Sequence, residues 1–247
     1  MLSQPFANPR PRVTLSWDDG HPLDLRMARL MVDCGLRATF YVPISIDRPQ
    51  LDAQQLLDLS AMGMEIGSHG LTHSVLTRSS NVSGEMAESK DKLEQLLGRE
   101  VTSFCYPFGK FNNHTALIAR KTGYHLARTT ESFAIGRVLD RFRMPVTLQF
   151  ATHSRFVHLR HALRELNIRG LVAWGRRWRF EGDLHRLSLQ AFHDACRLNG
   201  TFHLWGHSWE IDDLGLWDAL ADLCRQIGGR PDVSYVTNSS LLSGMPS

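Results

Sequence analysis

Val13-Thr14-Leu15-Ser16-Trp17-Asp18-Asp19-Gly20 is the stretch that decides how this chain is read. Its first five residues are apolar or β-branched in the manner of a strand, and Gly20 lets the backbone turn sharply just past them. Asp18 and Asp19 therefore stand at a strand's C-terminal end. Successive strand residues point to opposite sides, so the two carboxylates suit different work, one binding a metal and the other handling a proton. Alone, an Asp-Asp-Gly run is an ordinary turn. It gains weight from Ser68-His69-Gly70-Leu71-Thr72-His73, where His69 and His73 stand at i and i+4. On a helical turn that spacing puts both imidazoles on one face, within reach of a single ion.

Outward from these two segments the chain alternates between strand and helix patterns. Strand patterns cover 13–17, 38–43, 64–67, 102–106, 124–128, 142–148, 201–205 and 233–236. Helical periodicity covers 22–34, 51–62, 82–97, 115–122, 187–198 and 214–227, with no low-complexity linker between them. Eight strands with intervening helices predict an α/β fold, a (β/α) barrel, whose active sites lie at the C-terminal ends of the strands. One catalytic domain over 1–247 is the expectation, and that length is normal for such a barrel.

Two further segments fit the same chemistry. Phe104-Cys105-Tyr106-Pro107-Phe108-Gly109 runs from a strand into a Pro/Gly turn that could present a backbone N–H to an oxyanion. Thr201-Phe202-His203-Leu204-Trp205-Gly206-His207 delivers His207 to the exit end of a late strand. With these in place the chain resembles the polysaccharide deacetylase family, the NodB-homology domain of carbohydrate esterase family 4. That family carries Thr-Phe-Asp-Asp-Gly, His-Ser/Thr-x-x-His, Arg-Pro-Pro-Tyr-Gly and a late strand ending in His. The corresponding segments here are Ser16-Trp17-Asp18-Asp19-Gly20, His69-Gly70-Leu71-Thr72-His73, Cys105-Tyr106-Pro107-Phe108-Gly109 and Leu204-Trp205-Gly206-His207, in family order over roughly residues 12 to 210.

The resemblance implies an irregular barrel of seven to eight strands and a metal-dependent N-deacetylase. Asp19, His69 and His73 would hold the ion, most naturally Zn²⁺, although Co²⁺, Fe²⁺ or Mn²⁺ suit the same donors. Asp18 would be the base, the Phe108 backbone N–H an oxyanion donor at the position of the family's Tyr, and His207 the acid that protonates the departing amine. One departure stands out: where the family has Arg, this chain has Cys105, and the acidic segment that would match that Arg's partner is absent. Arg143, on the strand predicted over 142–148, is the candidate for a replacement cation beside Asp18. Tyr106, Trp205 and Trp209 are candidates for shaping an acetyl pocket or stacking on a sugar, roles to be weighed against simple core packing.

Composition bounds the rest. A formal charge of +3 gives no argument for nucleic acid, and four cysteines without a Cys-x-x-Cys pair read as thiols of a reducing compartment. The first ten residues have neither a basic nor an apolar signal region, and no apolar stretch reaches membrane-spanning length, so the expected location is cytoplasmic. Residues 153–186 form a basic helical insertion. Between 155 and 186 eight arginines face two glutamates and one aspartate, a surplus of five positive charges. Those arginines either solvate a helical face, grip an anionic substrate through residues such as Arg176, Arg177 and Arg179, or rest on an acidic membrane surface. The expected substrate is an N-acetylated sugar on a nucleotide- or lipid-linked precursor of a surface glycan. Chitin-like or peptidoglycan chains, or an inactive glycan-binding descendant, are the alternatives.

Overall fold

The computed structural model describes residues 10–136, 138–151 and 167–242. At its centre lies β1 (Arg12–Asp18), fully buried from Val13 onward. One edge of β1 pairs with a late strand, Thr201–Gly206, along Arg12–Trp17. The other edge is shared: β2 (Ala38–Val42) takes Leu15–Asp18, and a short last strand, Ser234–Tyr235, takes Arg12 and Val13. Then β3 (Glu65–Ser68), β4 (Ser103–Cys105) and β5 (Leu126–Arg128) extend the sheet beyond β2, and β6 (Leu148–Gln149) lies outside the late strand, which becomes β7, with Ser234–Tyr235 as β8. Every pairing is parallel. An isolated bridge between Arg128 and Met144 links β5 to the chain leading into β6, so the sheet curls towards closure.

Helices α1 (Asp24–Asp33), α2 (Ala53–Ala61), α3 (Val82–Leu97), α4 (Asn113–Lys121), α5 (Ile168–Trp178), α6 (Leu184–Arg197), α7 (Ser208–Asp213) and α8 (Trp217–Ile227) accompany the strands. Several begin as their sequences dictate: Asp52 with Gln55 and Asn112 with Thr115 form reciprocal caps. None among the described residues is long and apolar enough to cross a membrane.

The alternation along β1 explains where the site can form. Val13, Leu15 and Trp17 join the apolar core. Thr14, Ser16 and Asp18, on the other face, bond to Asn238, His203 and Arg128. The lumen of the curled sheet is thus a polar network, and its buried groups must satisfy one another. It is also tight: a Cβ added at Gly67 on β3 would lie 2.6 Å from the Tyr41 ring.

Two expectations are corrected, and a third falls partly outside the described residues. The strand expected over 142–148 is reduced to β6, because Pro145 has no N–H to give a ladder and only Met144 forms a bridge. The helix expected over 214–227 starts only at Trp217, as α8, and a further short helix, α7, precedes it, with Gly215 between the two at φ +62°. Of the insertion expected over 153–186, residues 153–166 lie outside the described residues, and the rest supplies α5 and the start of α6.

Candidate active site

The C-terminal ends of β1, β3, β4 and β7 surround a cleft of about 750 Å³ that contains Asp18, Asp19, His69, His73, Phe108 and His207. Three of its walls depend on left-handed backbone: Asp19 has φ 79°, His73 φ 56° and Phe108 φ 58°. Non-glycine residues hold that conformation only where the surroundings impose it, and such positions gather at functional sites.

His69 and His73 converge differently from the helical turn their spacing suggests. No helix forms between them. The chain bends at Gly70, φ 83°, and Glu85 near the start of α3 anchors the bend by accepting from the Leu71 and Thr72 N–H groups at 3.1 and 2.9 Å. The two Nε2 atoms end 3.2 Å apart. His69 Nδ1 lies 2.8 Å from the Cys105 carbonyl, which can only accept, so Nδ1 carries the proton and Nε2 offers a lone pair. Burial holds His69 below the ordinary imidazole value. Burial, with His69 adding to it, brings His73 down to about 4. Both are therefore neutral near pH 7, the form in which an imidazole can bind a metal.

Asp19 completes the set. Its Oδ2 accepts from Arg48 at 2.8 Å and Trp209 Nε1 at 3.1 Å. Its Oδ1 is buried, has no hydrogen-bond partner among the described residues, and lies 3.4 Å from His73 Nε2 and 3.9 Å from His69 Nε2. An orphaned carboxylate oxygen facing two imidazole lone pairs fits a divalent cation. Asp18, His69 and Cys105 also lie close enough to share an ion. There, however, the Arg128 guanidinium contacts both Asp18 and the Cys105 thiol. A cation would meet that positive charge directly, so Asp19, His69 and His73 are the better set.

Arg128, absent from the residues that sequence reasoning singled out, is the cation beside Asp18. It sits at the end of β5, is fully buried, pairs with Asp18 Oδ2, and lies over the rings of Trp205 and Tyr41 at 4.8 and 5.3 Å. Burial alone would raise the Asp18 pKa, but Arg128, helped by His69 and His207, more than offsets it and holds the carboxyl below its usual value. Arg143 is corrected: it lies on the surface, paired with Glu131 at 2.7 Å. The sequence shows Arg128 only as an arginine that closes a strand, and which way it turns is settled by the fold.

His207 follows β7 and has its own carboxylate, Glu210, 3.1 Å from Nδ1, which Gln149 holds by a 3.0 Å bond. Burial disfavours charge on this imidazole. The Glu210 hydrogen bond and the Asp18 and Asp19 charges outweigh it, and its pKa rises above the ordinary value. The Phe108 N–H has no acceptor among the described residues, and its ring meets His73 edge-on at 4.6 Å. Of the aromatic candidates, Trp205 and Trp209 line the cleft, whereas Tyr106 is core, its hydroxyl donating to the Phe142 carbonyl. Arg176, Arg177 and Arg179 do not line it; Arg177 borders a separate hollow with Asn199 and Gly200, which precede β7 at the sheet's other end.

The comparisons with known proteins agree with this geometry. Residues 7–127 match the family model described as polysaccharide deacetylase. Over 142 residues the chain is 30% identical to YxkH of Bacillus subtilis, whose name places it among polysaccharide deacetylases, covering 56% of this chain and 51% of that protein. The chain thus spans about half the length of the curated relative it matches. A Mycobacterium smegmatis structure described as a polysaccharide deacetylase superposes with TM-score 0.67 at 13% identity, covering 96% of this chain and 91% of that one. The chitin deacetylase of Colletotrichum lindemuthianum gives 0.60 at 16%, covering 97% and 90%. At such identities the likeness is one of fold. Residues 7–127, which carry Asp18, Asp19, His69, His73 and Phe108, are the part of the chain that matches the polysaccharide deacetylase family.

Proposed function

We propose that this chain is a Zn²⁺-dependent hydrolase that removes the acetyl group from an N-acetylated amino sugar. The observation that carries the reading is one cleft uniting the Asp19, His69 and His73 donors, a carboxylate kept ionised by Arg128, and an imidazole kept basic by Glu210. A divalent ion held by those three donors supplies Lewis acidity towards the acetamide oxygen and towards water. Two nitrogens and one oxygen suit zinc, and the same donors accept Co²⁺, Fe²⁺ or Mn²⁺.

The protein's own groups divide the rest of the work. Asp18 Oδ2 is committed to Arg128, so Oδ1, buried and unpartnered among the described residues, takes the proton of the attacking water. As the water oxygen bonds to the acetamide carbon, negative charge moves to the former carbonyl oxygen, and the Phe108 N–H can donate to it. Protonated His207 then gives its proton to the nitrogen while the C–N bond breaks. The products are acetate and a neutral amine, which would otherwise have to leave as an amide anion. Within N-acetylated sugars, a nucleotide- or lipid-linked precursor is the class we favour, supported by the excess of positive charge around the cleft.

Acetate release from a panel of N-acetylated sugars, with chelated and zinc-reloaded protein, tests the reading. Asp18→Asn should keep its zinc and lose about 10²–10⁴-fold in kcat, while Asp19→Asn should lose zinc by elemental analysis. Absence of acetate from every sugar with the metal loaded would overturn the activity. A greater metal loss in Asp18→Asn than in Asp19→Asn would reverse the two carboxylates.

A further inference from the structure

The charges lining the cleft do not cancel. Its two carboxylates each have a guanidinium already: Asp18 has Arg128, and Asp19 has Arg48. Two more cations, Arg78 and Lys110, line the same cleft, and neither has an acidic partner among the described residues. A divalent ion between the carboxylate and the imidazoles would leave the cleft more positive still. Arg78 closes the short helical turn after His73, and Lys110 follows the turn that carries Phe108. These turns leave neighbouring strands, β3 and β4, and meet where His73 touches Phe108. The two cations therefore occupy one sector of the rim, beyond the proposed ligand His73 and the proposed oxyanion donor. Arg176, Arg177, Arg179 and Arg186 of the basic run, by contrast, do not line it.

We propose that Arg78 and Lys110 form an anion subsite that binds a phosphate ester carried by the N-acetylated sugar. The proposal rests on the deacetylase reading and names the substrate class of the same cleft. A phosphate monoester, or the diphosphate of a nucleotide- or lipid-linked sugar, carries about two negative charges and matches two unpartnered cations charge for charge, which one carboxylate does not. An arginine and a lysine together supply the directed and the point-like contacts that phosphate oxygens take. Nucleotide-linked and lipid-linked sugars both present that group beside the sugar ring. The contact lies away from the reacting carbonyl, so it should act equally on bound substrate and transition state and appear in KM.

The test compares wild type with Arg78→Ala, Lys110→Ala and the double variant on four zinc-loaded reactions. The substrates are N-acetylglucosamine 1-phosphate, a uridine-diphosphate N-acetylglucosamine, a polyprenyl-pyrophosphate N-acetylglucosamine in detergent micelles, and neutral N,N′-diacetylchitobiose. Each substitution should raise KM for a phosphorylated substrate about 10-fold and leave kcat, and both constants for diacetylchitobiose, near wild type. Inorganic phosphate should inhibit diacetylchitobiose turnover in wild type and not in the double variant. Whichever phosphorylated substrate shows the larger effect identifies the natural carrier. Equal KM changes for neutral and phosphorylated sugars, or no phosphate inhibition, would overturn the subsite while leaving deacetylation standing. No acetate from any of the four would overturn the activity itself.

Discussion

Cys105 and Arg128 touch each other beside Asp18, and together they show how one departure from the family pattern is accommodated. A fully buried carboxylate that must stay ionised needs a cation in contact, since burial alone would protonate it. The β4 position gives a small thiol, and the long side chain arrives instead from the neighbouring strand β5. Cys105 was visible in the sequence as a missing arginine. Arg128 was not singled out because nothing in one sequence says which strand-end arginine turns inward, and Arg143 looked equally available. Removing one member of a buried pair strands the other, at about 3–5 kcal/mol. Arg128→Met should therefore lose about that much in urea denaturation and most of its kcat. Adding Asp18→Asn should return part of the stability, and Arg128→Met with Cys105→Arg should return part of the kcat. A swapped variant that folds as well as wild type but stays as inactive as Arg128→Met would show that Asp18 does not depend on a neighbouring guanidinium.

Between residues and the whole molecule, it is the strand-end turns that turn a legible list into a site. The strands carrying Asp18, His69 and His207 were readable from their apolar runs. The path between His69 and His73 was not, because a four-residue spacing is equally compatible with a helix turn and with a bend built on a left-handed Gly70. What selects the bend is Glu85, which lies on a different element. Glu85→Ala leaves two loop N–H groups without their acceptor, so it should weaken zinc binding about 10–100-fold with both histidines intact. Zinc titration of the apoprotein checks this, and unchanged affinity would show that the bend holds without its anchor. The turn from β7 into α7 works in the same way on charge. Glu210 raises the pKa of His207, so its pairing adds stability that is full below the ordinary imidazole value and is lost as pH rises through the folded-state value. In its proposed role as the acid His207 must be protonated, so Glu210→Gln should move the alkaline limb of the kcat profile to lower pH. A limb that stays in place would assign it to another group.

At the scale of the whole molecule the two ends of the sheet do different jobs, and the sequence disclosed one of them. Eight strand patterns and the position of the carboxylates pointed to a curled parallel sheet with chemistry at its C-terminal edge. The polar lumen was hidden, because Thr14 and Ser16 alternating with Val13 and Leu15 read equally well as a strand with one wet face. The structure fills that face from the far end of the chain. Asn238 accepts from Thr14 at 2.8 Å, donates its side-chain amide to the Tyr41 hydroxyl at 2.8 Å, and donates its backbone N–H to Thr39 Oγ1 at 2.9 Å. It ties β1 and β2 together beneath the catalytic edge. Asn238→Ala would leave the Thr14 hydroxyl and the Tyr41 hydroxyl buried without that partner, at about 1–3 kcal/mol for each unsatisfied group. Because barrels of this kind separate stability at the strands' N-terminal ends from chemistry at their C-terminal ends, the loss should appear in denaturation alone. Zinc content and kcat of the folded fraction should stay near wild type. A kcat that falls with the denaturation midpoint would mean that the lumen network transmits strain from Asn238 up β1 to Asp18, and that the two ends are one mechanical unit.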